Sequence, residues 1–572
     1  MLRFYVEQKT ALILIFASSR FRIIKKSMDG TEMNKFYIRI ISLILVAALT
    51  VPGLICLSKT DASAYPGKIP LICIYGEDTP LGIKQPDGTF KPVQANIDVE
   101  KVKHAFLDDP NIIIRASFTQ DWTEVCDIIT ELLIDAYKDV VLDENGEATN
   151  GSESTFTFSE SALKNAFTNP NSSIHSYGFR YDWRLDPYEN MEKLHTFIEA
   201  VLKATGSDKY ALYGRCLGSC YEVLYYDMYK DDRITDIILS HSALLGMTPI
   251  GEAFSGNLRV NADSVERFVY EYDMGINYKI NDSITLTDDL IRQILKILVD
   301  IYGLDMFCWV TTNAYQQIYD YITPKVMKQS FGTFPGYWAM CEDKYYEDAK
   351  KVVFGGEEEK YANFIKKIDN YHYNIMTRAT DILNEASNKG IKISSIVKYG
   401  EQLMPFVDDG NALSDQLLRV KTASLGAYCC GNDGYFTDSY IKSETEKGNG
   451  KYISPDRKIN ASTCMFPDTT WFIKNVNHKL NPPAIDQLLF AIINNRDSSV
   501  DTLEQYPQFL YFDDESGSLV PLDPKVHKAK SDVFNETVAN TPARKIKVIF
   551  KPLFDFITIL VKIFGIKPRA GH

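Results

Sequence analysis

The stretch "KYALYGRCLGSCYEVLYY", Lys209 to Tyr226, decides how this chain is read. An apolar run with strand character meets Gly-x-Cys-x-Gly and then passes into a helix-forming segment. In a strand-turn-helix with glycines two before and two after the central residue, that residue is driven into a strained conformation and its side chain stands at the mouth of a sheet. Gly214 and Gly218 are those small neighbours, and Cys216 is the residue presented. On its own the pattern also fits a tight turn around a buried cysteine; the flanking strand and helix favour a nucleophile. Ser219 lies one turn into the helix, off the apex.

Outward from this turn, strands and helices alternate. Ile69 to Tyr75, "IPLICIY", reads as a fully apolar strand, and Asp121 to Tyr137 as an amphipathic helix. "MEKLHTFIEAVLKATG" puts Leu194, Phe197, Ile198, Val201 and Leu202 on one helical face and stops at Gly206. The strand "DIILSH" follows the nucleophile helix. Strand, helix, strand and helix in this order imply right-handed crossovers and a doubly wound, mostly parallel α/β sheet, with its site at the carboxyl ends of the strands.

About thirty residues before Cys216 stands "FRYDWRLDPYENMEKLHTFIEAV". Tyr181-Asp182-Trp183-Arg184-Leu185 resembles the Y-D-W/F-R element of the lecithin:cholesterol acyltransferase-like α/β-hydrolases, where a helix and then the nucleophile strand follow as they do here. The resemblance runs from about Ile69 to about Asn494. It implies an α/β-hydrolase fold, an acyl-ester or lipid-like substrate, lipase, esterase or acyltransferase chemistry through an acyl-enzyme, and no metal or cofactor. The about 150 residues between Ser240 and Ile391 exceed what a crossover needs, and with the amphipathic "DDLIRQILKILVDIYGLDMFCWV" and the aromatic-rich "FGTFPGYWAMCEDKYYEDAKK" they read as a large hydrophobic, helical cap insertion over the catalytic face, which favours apolar or long-chain acyl substrates. This chain departs from the family's G-H-S-x-G, having Arg215 for the histidine and Cys216 for the serine.

A triad needs an acid and then a histidine after the nucleophile. Of eight histidines, His104, His195 and His372 fall among polar helical positions, His175 in a polar loop, His527 and His572 in a polar tail, and His241 at a strand end that suits a structural role. His478 follows the strand-like "TTWFIKNVN" and precedes the proline-initiated helix of "KLNPPAIDQLLFAIINN", where these hydrolases place the base. By the same resemblance the acid falls at Asp433 in "CCGNDGYFTDSY", with Asp438 as runner-up. The oxyanion hole falls to the backbone amides of Leu217 and Glu77. Glu77 either pairs with Arg215 or points to water.

Composition sets the remaining bounds. A chain of 572 residues, 45% hydrophobic and with net charge −13, has material for a large core and does not read as a nucleic-acid binder. From Met33, "MNKFYIRIISLILVAALTVPGLICLSKTDASAYP" has a basic start, an apolar run and an Ala62-Ser63-Ala64 cleavage site. Residues 1–64 are expected to be a targeting segment with Tyr65 as the first mature residue, the alternative being an uncleaved anchor. Of ten cysteines, one lies in that segment, the remainder is odd, and no C-x-x-C pair exists, so free thiols and no zinc site are expected. Residues 65–514 are expected to form the hydrolase domain with the cap at about 250–390, and 515–543 a polar linker. Residues 544–572, with basic flanks around a short apolar run, read as an interfacial helix for an anionic membrane surface, the alternative being docking back onto the domain. Two readings of another class stand beside the enzyme: a degenerate hydrolase that binds lipid or glycan without turnover, and a surface module that keeps the fold for its shape.

Overall fold

The computed structural model of the protein describes residues 69–95, 112–163, 176–257, 277–287, 320–529 and 532, apart from 77–78, 120, 160, 282–283, 324, 404–406 and 408–409. The expected targeting segment, Glu77 and the carboxyl-terminal helix lie outside the described residues.

Eight strands form the central sheet: β1 Leu71–Ile74, β2 Ser176–Phe179, β3 Tyr210–Arg215, β4 Ile234–Ser240, β5 Lys392–Tyr399, β6 Thr470–Lys474, β7 Phe509–Asp513 and β8 Ser518–Pro521. Their spatial order is β8-β7-β6-β5-β4-β3-β1-β2. Every neighbouring pair is parallel except β7 and β8, an antiparallel hairpin at the edge. Parallel strands need crossovers that cover both faces, which is why these strands read as apolar runs instead of alternating with polar residues.

The two faces bury different layers. Leu212, Ile237, Leu239, Ile393 and Val397 pack beneath α2 (Met191–Thr205) and α3 (Gly218–Tyr229). Ala211, Tyr213, Ile238, Ile396 and Trp471 pack on α8 (Pro483–Asn494) through Ile485, Leu488, Leu489 and Ile492. The side-chain period of two along each strand sends successive residues to opposite layers. α1 (Thr123–Tyr137) joins the first layer only through its end, Ala136 and Tyr137. The rest of its apolar face packs with Ile112, Ile322 and Val326.

Of the stretch expected to form a cap, 258–276 and 288–319 lie outside the described residues. After Thr248–Ser255, which is α4, Asn277–Asn281 and Ile284–Thr287 pair as an antiparallel hairpin, and from 320 onward the chain builds α5 (Asp343–Phe354), α6 (Ala362–Tyr371) and α7 (Ala379–Asn388). These belong to the helical layer of the domain: α5 packs along α4, and α7 packs on α3 and β5. The aromatic stretch around Trp338 is core, for Trp338 is 1% exposed and stacks among Phe254, Phe354 and Phe364. His372, expected on a solvated helical face, is buried there, bonded to Asp343 and stacked on Tyr346.

The Tyr181–Leu185 element is a structural clamp. Arg184 is fully buried and holds both oxygens of Asp182, at 2.9 and 2.6 Å. Its other donors reach the Val140 carbonyl and both the hydroxyl and carbonyl of Ser152. The guanidinium's fixed fork suits this set of acceptors. Tyr181 donates to the Tyr75 carbonyl at 2.8 Å, and the Trp183 indole donates to the Thr79 carbonyl. The clamp therefore fixes the loop that leaves β1 beside the turn after β3.

Candidate active site

At the end of β3 the backbone turns at Cys216, whose φ of +51° lies in the left-handed region that a residue with a Cβ rarely adopts. Hydrogen bonds hold it there. The Cys216 amide donates to the Ser240 carbonyl on β4, and the Cys216 carbonyl accepts from the Ser219 amide, the Ser219 hydroxyl and the Ala243 amide. Both glycines are required by close approach. A Cβ on Gly218 would stand 2.1 Å from the Ile74 carbonyl oxygen, and one on Gly214 would stand 2.7 Å from the Gly218 oxygen and the Glu222 carboxyl. Ser219 faces inward, donating to Cys216 and accepting from Ser242 at 2.7 Å, so its hydroxyl serves the turn. The loop after β1 closes the other side, since a Cβ on Gly76 would lie 3.5 Å from the Cys216 Cβ. Leu217 is the first residue past the turn and caps α3.

His478 lies in the loop between β6 and α8, 8% exposed. Its Nδ1 is 2.8 Å from Oδ2 of Asp415, and its amide donates to the Asp415 carbonyl at 2.7 Å. Asp415 is 1% exposed, and its Oδ1 accepts from the Leu417 and Leu418 amides at 3.1 and 2.8 Å. Backbone donors and one imidazole thus hold the carboxylate in place.

The partner of His478 is therefore Asp415 and not Asp433. The expected Asn-Asp-Gly turn does form, but it buries Asn432, whose side-chain Nδ2 donates to the Ala412 carbonyl, and turns Asp433 to solvent, where it accepts from Asn411 at 2.6 Å. Asp438 is also exposed and pairs with Arg457. In sequence, Asp415 had only a weak signal: a lone aspartate in "NALSDQLLRV" after β5, with the amides to cap its carboxylate two and three residues on.

His241, which follows β4, is the unexpected member of the group. Its φ is +35°, its amide donates to the Ile396 carbonyl, and its Nδ1 is 3.0 Å from the Ser240 hydroxyl. Its ring meets that of His478 edge to face, centroids 4.8 Å apart. Burial, with Lys398, His478 and Arg215 adding positive charge nearby, holds His241 neutral, well below the usual histidine range. Arg215 lies over the Tyr75 ring at 5.6 Å, which Arg180 also covers at 4.4 Å.

Cys216, His241, His478 and Asp415 thus gather at the carboxyl ends of adjacent parallel strands. The fold is α/β-hydrolase-like. No family model matches the chain, and no curated protein does. Among solved structures it is similar to one described as the crystal structure of the Tle4-Tli4 complex, at 12% identity over 58% of this chain and 74% of that one, with a TM-score of 0.22. The fold reading rests on the sheet order and the turn at Cys216. The eight described cysteines stand outside any disulfide, and among the described residues no group of His, Cys, Asp or Glu is arranged to hold a metal ion.

Proposed function

We propose that the protein is an exported hydrolase or acyltransferase that cleaves an acyl ester or thioester through a covalent thioester at Cys216. The observation that carries this reading is the left-handed Cys216 at the β3–α3 turn, on the same rim as a buried His478–Asp415 pair bonded at 2.8 Å. A carboxylate accepting from Nδ1 leaves Nε2 free to take a proton, which is the arrangement a base needs. Cys216 Sγ gives its proton to His478 and attacks the acyl carbon. The tetrahedral oxyanion is held by the Leu217 and Glu77 amides. Collapse expels the alcohol or thiol, which takes the proton from His478. Water, or an acceptor hydroxyl, is then deprotonated by His478 and attacks the thioester, releasing the acyl group and restoring the thiol. The likeness of Tyr181–Leu185 to the lecithin:cholesterol acyltransferase-like enzymes supports a lipid-like acyl substrate.

Mapping of iodoacetamide adducts, with turnover of short nitrophenyl esters and acyl thioesters, tests this. Cys216 is expected to be modified ahead of the other cysteines, and Cys216→Ala to abolish turnover. A Cys216→Ala protein as fast as wild type would remove the nucleophile. Activity that appears only in Cys216→Ser would mark the wild type as a degenerate hydrolase that binds lipid or glycan.

A further inference from the structure

The rim also holds a buried lysine that the proposed triad does not use. Lys398 stands near the end of β5, a strand buried from Ile393 to Tyr399, and is itself 1% exposed. Its ammonium donates to the His478 carbonyl at 3.2 Å and to the Leu480 carbonyl at 2.8 Å. The loop that carries His478 is therefore held from two sides. Asp415 takes its amide and imidazole, and Lys398 takes its carbonyls.

We propose that Lys398 is a positioning residue for the reaction at Cys216, anchoring the His478 loop by two carbonyls while its buried charge stabilises the Cys216 thiolate. The proposal rests on the reading of Cys216 and His478 given above. An uncharged aliphatic residue would leave both carbonyls without this donor, and burying an ammonium for packing alone is costly. The groups facing the ammonium come from each neighbouring element: Arg215 at the end of β3, Cys216 at the turn, His241 after β4, Asp415 in its loop, His478 in its own and Asp486 on α8. Burial and then Arg215 bring the Lys398 ammonium down to about 7, against Asp415, Cys216 and Asp486, which hold it up. Cation and thiolate thus favour one another's charged form.

The test reads the thiol directly. Alkylation of Cys216 is followed from pH 5 to 10 in wild type, Lys398→Met, Lys398→Gln and Lys398→Arg, beside kcat and KM. Loss of a nearby cation typically shifts a thiol's titration by about one pH unit or more, so Met and Gln should alkylate about tenfold more slowly at pH 7. Their kcat should fall with KM nearly unchanged, and Arg should restore the wild-type profile. Met and Gln variants that keep the wild-type alkylation profile and lose only thermal stability would show Lys398 to be structural and overturn the proposal. Should neither variant fold, wild-type protein carrying ¹³Cε-lysine decides: one lysine should titrate near neutrality, and its midpoint should fall once Cys216 is carboxamidomethylated. An unmoved midpoint overturns it. Because alkylation does not depend on turnover, these results stand apart from Cys216→Ala, whose retention of turnover would instead remove the nucleophile.

Discussion

Exchanging Asp415 for asparagine separates the carboxylate bonded to His478 in the structure from the acid expected in sequence. In the wild type, Oδ1 accepts the Leu417 and Leu418 amides while Oδ2 faces His478 Nδ1 at 2.8 Å. Asparagine has one acceptor oxygen for these three donors. It will stay with the two amides, because each buried N–H left without an acceptor costs about 1–3 kcal/mol. The new NH₂ then points at Nδ1 and drives the imidazole proton to Nε2, where it blocks acceptance from the thiol. In a serine triad this wrong tautomer costs about 10⁴ in kcat. A thiol is already partly ionised near neutral pH, so the expected loss here is about 10²–10³, or about 3–4 kcal/mol in the barrier. Asp433→Asn, changed at an exposed site, should stay within about twofold of wild type, as surface substitutions usually do. The assay is kcat/KM on a short nitrophenyl ester and a thioester, with circular dichroism to check folding. Wild-type turnover in Asp415→Asn, or a large loss that falls on Asp433→Asn, would refute the reasoning.

Three further outcomes are expected. Burial holds the Asp186 carboxyl up at about 7 against a usual 3.8, so the stability tied to its proton is complete below pH 4 and is lost as pH rises through 7. Asp186→Asn, which keeps the acceptor for the Tyr188 amide, should therefore gain on the order of 4 kcal/mol over wild type at pH 8 and nothing at pH 4, read by denaturant unfolding; an equal difference at both would count against it. Arg184→Ala leaves Asp182 buried without its partner and should cost about 3–5 kcal/mol, so a loss under 1 kcal/mol would show that the clamp is slack. Deleting 544–572 should release the protein from anionic liposomes without changing turnover of a soluble ester, and unchanged liposome binding would exclude a membrane role for the tail.

The parts of the fold that were legible in sequence are those fixed by local chemistry. Gly214 and Gly218 announce a close approach that any side chain would break, and the apolar runs of β1, β3 and β4 announce strands covered on both faces. The loop that carries His478 could be read because a strand and a proline-initiated helix bracket it in sequence. Asp415 could not be found in this way. Which carboxylate meets the His478 imidazole is decided across a separation of 63 residues, and no local pattern records that contact. The Asn-Asp-Gly turn was the stronger local signal, and it is a real turn, but turn chemistry fixes the backbone and says nothing about which side chain faces inward. The aromatic segment around Trp338 is a related case, since the same composition lines a cap or fills a core, and only packing distinguishes the two. Lys398 did leave a trace, a lysine inside a buried strand, whose meaning depended on the two carbonyls it meets.

The rim also shares one backbone device. β3, β4, β5 and β6 are each followed immediately by a residue of positive φ: Cys216 at +51°, His241 at +35°, Gly400 at +102° and Asn475 at +68°. Three of these still donate across to the neighbouring strand, Cys216 to Ser240, His241 to Ile396 and Asn475 to Tyr399, before the chain leaves the sheet. A left-handed residue at that point turns the chain sharply, so the strands stop together and open a crevice along their carboxyl ends. Glycine takes this conformation at little cost, whereas a residue with a Cβ gives up about 1–3 kcal/mol. The non-glycine positions include the proposed nucleophile and the imidazole packed against the proposed base. Strain that glycine would relieve is therefore retained where a side chain is needed at the rim, and it is held in place by the bonds to the Cys216 carbonyl and by those of His241 to the Ile396 carbonyl and the Ser240 hydroxyl.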